Sequence, residues 1–126
     1  MSSPRRDLGA FGERLAAAHL EAKGYRIIER NFRCGEGEID IVAEDSDCLV
    51  FVEVRTRRGD ALGSAVESVT PAKQRRLLAL AEAYSQAHDD LPSQQRIDVI
   101  TVALAPDGRV LAVEHIEDAI ADREFS

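Results

Sequence analysis

Nine consecutive residues constrain this chain more than any others: Cys48–Thr56 reads Cys-Leu-Val-Phe-Val-Glu-Val-Arg-Thr. A run so rich in β-branched and aromatic residues reads as a strand. Successive side chains of a strand point to opposite faces. Val50, Val52 and Val54 therefore cover one side, while Leu49 and Phe51 precede Glu53 and Arg55 on the other. An acid and a base at the end of a covered apolar face are costly unless they find partners.

The flanking segments supply the rest of a sheet. Tyr25–Arg33 and the alternating Glu38–Ala43 read as strands, joined by the short loops Cys34-Gly35-Glu36-Gly37 and Glu44-Asp45-Ser46-Asp47. Loops of that length favour hairpins, so an antiparallel meander is expected. Residues 7–24 read as a helix with Asp7 as N-cap, an apolar stripe of Leu8, Phe11, Leu15, His19 and Ala22, and Gly24 as the stop. A second helix is expected from the N-cap Thr70, with Pro71 in its first position, to about His88. Its stripe is Leu77, Leu80, Ala81 and Tyr84. Residues 57–69 read as irregular, Arg96–Leu104 and Arg109–His115 as two more strands, and Glu117 to about Arg123 as a short closing helix. The order α-β-β-β-α-β-β suits a mixed α/β sheet with helices packed on it.

The chain has 126 residues, no internal repeat and no linker-like stretch, so one domain over 1–126 is expected, its core about 7–115. No segment approaches the ~18 apolar residues of a membrane span, and no signal peptide is visible. Cys34 and Cys48 fit neither a disulfide framework nor a zinc pattern, and a cytoplasmic address follows by default. The net charge of −7 disfavours a general nucleic-acid binder, yet its distribution is uneven. Over 55–76, Arg55, Arg57, Arg58, Lys73, Arg75 and Arg76 face only Asp60 and Glu67. A basic stretch on an acidic body is suited to phosphate.

If the second and third strands pair, Asp40 and Glu53 can converge near one end of the sheet. Converging carboxylates repel, and a hard divalent cation removes that penalty. The residues alone leave a second reading open, in which Glu53–Arg55 or Asp40–Arg55 is a structural ion pair without metal.

A series of short motifs favours the first reading. Gly12-Glu13, Gly24-Tyr25, Gly37-Glu38-Ile39-Asp40-Ile41, Val50-Phe51-Val52-Glu53-Val54-Arg55 and Arg96-Ile97-Asp98-Val99 occur in order from about residue 9 to 104. The chain thereby resembles the small bacterial family known as YraN or UPF0102. That family is endonuclease-like and similar to Holliday-junction resolvases of the PD-(D/E)XK superfamily. The resemblance implies a restriction-endonuclease-like fold and hydrolysis of DNA with Mg²⁺ or Mn²⁺, possible as paired cuts only in a homodimer. It implies that Glu13 assists the metal site, that Asp40 and Glu53 are ligands, and that Val54 offers its backbone carbonyl. Arg55 stands where the motif has lysine.

That departure matters, because arginine stays protonated and cannot act as a base. Arg55 can still clamp a phosphate. Three outcomes follow: catalysis by metal-activated water alone, replacement of the lysine by another, or loss of catalysis with nucleic-acid binding retained. Lys73 starts the inward stripe of the second helix and is the replacement candidate, set against a lysine that merely snorkels at a helix end. Glu38 shares a face with Asp40 but lies nearer the turn, so a supporting or surface role is expected. Asp98 is expected to pair with an arginine. His19, His88 and His115 match no ligand or triad spacing.

Overall fold

The structure, a computed structural model, describes residues 4–59 and 69–120. Its elements are α1 (Pro4–Ala22), β1 (Arg26–Cys34), β2 (Gly37–Asp45), β3 (Cys48–Arg58), α2 (Pro71–Ala87), β4 (Gln94–Leu104) and β5 (Val110–Ile116). The five strands form one mixed sheet in the order β1-β2-β3-β4-β5. β1, β2 and β3 are the antiparallel meander, β3 and β4 run parallel, and β5 returns antiparallel to β4. Adjacent parallel strands need a crossover, and α2 lies in it.

The alternation along β3 places a separate core on each side of the sheet. Val50 and Val52 join Ala16, Ala17 and Leu20 of α1, together with Ile41, Ala43, Ile100 and Val102. Leu49 and Phe51 join Leu77, Leu80, Ala81 and Tyr84 of α2, with Val42, Ile97 and Val99. The stripe expected for α2 is the one buried. Thr70 caps this helix as expected, its hydroxyl oxygen accepting from the Lys73 amide at 3.2 Å.

The stripe expected for α1 is displaced. Its most buried positions are Gly12, Ala16 and Leu20, four residues apart, while Leu8, Phe11 and Leu15 pack at the flank and Ala22 is exposed. Small residues allow the helix to approach the sheet closely. A Cβ on Gly12 would collide with the Thr56 hydroxyl and come within 3.1 Å of the Thr56 Cβ. The helix also begins at Pro4, so Asp7 lies in its first turn, not at its cap. Gly24 ends it as expected, in a left-handed conformation with φ 95°.

Other expectations change at their margins. Arg57 and Arg58 continue β3 instead of opening an irregular stretch, and 60–68 lie outside the described residues. Glu117 and Asp118 form a turn where the closing helix was expected to begin, and 121–123 lie outside the described residues. Cys34 and Cys48 are free and sit on β1 and β3, with β2 between them. Among the described residues, no helix is long and apolar enough to cross a membrane.

Candidate functional site

The site begins where β2 parts from β3. The β2–β3 ladder runs from Asp45↔Cys48 to Ile41↔Val52. At the next residue the side chain substitutes for the backbone: Asp40 Oδ2 accepts from the Val54 amide at 2.8 Å. The side-chain pattern switches at the same place. Ile39 and its partner Phe32 pack into the α2 core, whereas Ile41 packs into the α1 core. Residues two apart on a regular strand would share a face. The β1 residue between Arg30↔Ile41 and Phe32↔Ile39 is Asn31, in the left-handed region at φ 59°. Asparagine tolerates that conformation better than most residues. The twist at Asn31 and Asp40 sends Glu38 and Asp40 towards α1.

Three carboxylates meet there. One oxygen from each of Glu13, Glu38 and Asp40 lies within 4.8 Å of the other two. The side-chain amide of Asn31 donates to Glu13 Oε1 at 2.9 Å and to Glu38 Oε2 at 2.8 Å. Arg33 Nε donates to Glu38 Oε1 at 3.0 Å, and an Arg30 nitrogen lies 3.8 Å from Glu13 Oε1. Gly9, Ala10, Glu13, Asn31, Arg33 and Glu38 line an open recess of about 460 Å³. Burial, and then the charge of Glu53, push the Asp40 carboxyl up to about 8; Glu13 and Glu38 add to this and the Val54 hydrogen bond opposes it.

Glu53 lies on the other side of the junction, 7% exposed. Its Oε2 is 3.0 Å from Lys73 Nζ and 3.5 Å from an Arg55 nitrogen. Lys73 is thus not a free surface lysine: the first turn of α2 lays it on the buried end of β3. Each of the two acids expected to converge also has a neighbour of its own, Asp40 the α1 acid Glu13 and Glu53 the α2 lysine, while the Glu53 charge still bears on Asp40. The remaining cations of the basic stretch are dispersed. Arg58 donates to the Pro106 carbonyl at 3.1 and 3.0 Å, and Arg75 is exposed. The Arg76 side chain packs over Gly37, its Cδ 3.4 Å from where a Cβ on that glycine would stand.

Asp98 is away from this cluster and fully buried. It accepts from Arg96 Nε at 3.0 Å and from the Asp118 amide at 2.9 Å, and its Oδ2 lies 2.7 Å from His115 Nε2. The arginine pairing expected of Asp98 is present, and His115 is structural. Desolvation raises its pKa, but the hydrogen bonds from His115, Arg96 and the Asp118 amide outweigh it and hold the carboxyl below its ordinary value.

Sequence reasoning missed Asn31, and it did not place Glu38 beside Glu13. An asparagine in the middle of a strand pattern is the signal that could have found the first. Glu38 sits near the turn in sequence, but the twist beside it brings it onto Glu13.

Fold and site together define a mixed α/β protein with a carboxylate cluster at the margin where its meander leaves the central strands. The chain belongs to the UPF0102 family: residues 12–102 match the model of Uncharacterised protein family UPF0102. It is 50% identical over 124 residues to a UPF0102 protein of Chloroflexus aurantiacus, covering 97% of this chain and 99% of that one. A UPF0102 protein of Roseiflexus castenholzii is 48% identical over the same shares. One from Symbiobacterium thermophilum is 51% identical over 105 residues, 83% of this chain and 89% of its own.

Proposed function

We propose that this chain is a nuclease-like domain of the PD-(D/E)XK kind that hydrolyses DNA phosphodiesters with Mg²⁺ or Mn²⁺. The observation that carries the reading is the meeting of Glu13, Glu38 and Asp40 beside a buried Glu53 already matched by Lys73 and Arg55. The donor set fits a hard cation: it offers carboxylate oxygens and no thiolate or imidazole. Asp40, held near 8 by burial and neighbouring acids, is a group that a cation would return to its ionised form.

Asp40, with Glu13 and Glu38, would hold the ion; Glu53 and the Val54 carbonyl are the further ligands that the family resemblance implies. When bound, it would acidify a water and offset charge on the phosphodiester. Lys73 takes the role of the missing motif lysine, its amine already 3.0 Å from Glu53. A lysine beside a carboxylate can hold a water in place, and Arg55, which stays protonated, cannot act as a base. Arg55 then clamps phosphate, and the exposed Arg75 and Arg76 guide the strand, with Arg57 and Arg58 as outer contacts. Paired cuts on branched DNA would need two sites and hence two chains.

The test is calorimetric titration of Mg²⁺ and Mn²⁺ into wild type and into the Asp40→Ala, Glu53→Ala double variant, followed by incubation with branched and linear DNA. Cation binding and cleavage lost together in the variant support the reading. Absence of cation binding in wild type, with or without DNA, removes the catalytic reading. Salt-sensitive DNA binding without cleavage identifies instead a nuclease fold used for contact, the reading that Arg55 in the lysine position favours.

A further inference from the structure

The geometry points to Asn31 as the positioning residue that assembles the acidic cluster, by spending both of its side-chain N–H groups on carboxylates from two different elements. The inference rests on the reading of that cluster as a cation site.

Glu13 arrives on α1 and Glu38 on β2, and no peptide bond fixes their separation. Asn31 Nδ2 is 2.9 Å from one and 2.8 Å from the other. An amide nitrogen carries two donors, so it can hold two acceptors at once without bringing a charge of its own. That neutrality matters. An arginine or lysine in the same place would cancel the negative charge that a cation is to meet, and would compete with it. The amide instead gathers the two acids without adding to the positive charge that Arg33 and Arg30 already bring, 3.0 Å from Glu38 and 3.8 Å from Glu13.

The backbone explains why this residue can reach. At φ 59°, Asn31 turns its side chain out of the regular strand alternation, opposite Asp40. The same local twist therefore presents Asp40 and aims the amide at its two neighbours. Partners that orient ligands without touching the ion typically govern affinity by about 10- to 100-fold.

Two experiments test this, the second of them separately from the cation reading. Glycine accepts the left-handed backbone and lacks the amide, so Asn31→Gly isolates the side chain. Its Mn²⁺ affinity by calorimetry is expected to fall about tenfold or more, with the denaturation midpoint of the metal-free protein little changed. Unchanged Mn²⁺ affinity would overturn the inference. The second measurement needs no metal: the Asn31 side-chain amide resonances of the ¹⁵N-labelled, metal-free protein are compared in wild type, Glu13→Gln and Glu38→Gln. Each substitution is expected to move the amide proton that faces it. Resonances indifferent to both substitutions sink the clamp, whatever the cation does. If wild type takes no Mn²⁺ while the resonances respond, the clamp stands and the cation reading falls.

Discussion

Lys73 Nζ lies 3.0 Å from Glu53 Oε2, so a residue in the first turn of α2 neutralises the acid at the buried end of β3. The Lys73 side chain is 24% exposed and that of Glu53 only 9%. Removing the cation leaves a nearly buried carboxylate with Arg55 alone, at 3.5 Å. Lys73→Met is expected to destabilise the fold by about 1–2 kcal/mol, and adding Glu53→Gln should recover most of that loss. Urea denaturation of the single and double variants measures both. Equal destabilisation of the two would show that the pair is not coupled. Under the proposed function, Lys73→Met also lowers cleavage by about 10²-fold or more.

Asp40 makes metal-free stability depend on pH in an unusual direction. Its carboxyl is raised in the folded chain from 3.8 to about 8. Between those values the folded state holds a proton that the unfolded state has lost. The stabilisation from this proton is complete below pH ~4 and disappears as pH rises through ~8. Melting temperature in chelator should therefore fall from pH 5 to pH 8, Mn²⁺ should restore it at pH 8, and Asp40→Asn should flatten the slope. A flat wild-type profile over that range would remove the proposed protonation.

Asp98 shows the opposite sign. Its carboxyl is held below the ordinary value by His115, Arg96 and the Asp118 amide, so its contribution is present above pH ~4 and is lost as pH falls through its folded value. Asp98→Ala leaves Arg96 and His115 short of a buried partner and is expected to cost about 3–5 kcal/mol. Cation affinity of the folded fraction should not change, because Asp98 is not one of the three clustered acids. A selective loss of Mn²⁺ binding at full stability would contradict this assignment.

Gly12 couples the helix to the site. A methyl group there meets the Thr56 hydroxyl, and Thr56 is β-branched and unable to swing freely. Gly12→Ala is expected to destabilise by about 1–3 kcal/mol and to weaken Mn²⁺ binding, because the displaced turn carries Glu13. Thr56→Ala in the same background should recover part of both. Denaturation and calorimetry on the two variants provide the comparison, and full stability in Gly12→Ala would show that the helix has room to spare.

How far the chain could be read depended on whether a feature was periodic. Val50 and Val52 against Leu49 and Phe51 announced a strand between two layers, and the α2 stripe from Leu77 to Tyr84 was legible for the same reason. The α1 stripe misled because its large residues, Phe11 and Leu15, flank the contact, while closeness to the sheet selects Gly12 and Ala16. The acids were legible as residues, Glu13 beside Asp40 included, but the place of Glu38 among them was not. Strand alternation assumes a regular ladder, and the departure at Asn31 and Asp40 hands Glu38 to Glu13 while leaving Glu53 with Lys73. No spacing rule encodes that twist; a lone asparagine among strand formers was its only trace.

Where β2 meets β3, the ladder behaves like a zipper whose slider is a side chain. Ile41 is the last residue stitched by backbone, and Asp40 closes the gap through the Val54 amide. Peeling the β1–β2 hairpin away would start at this point, carrying Glu38 and Asp40 off together and leaving Glu53 behind with α2. The proposed chemistry at the junction would thus be available only while the zipper is shut. A cation gripping the acids would in turn lock the slider, so that the bound ion protects the very seam that creates its seat.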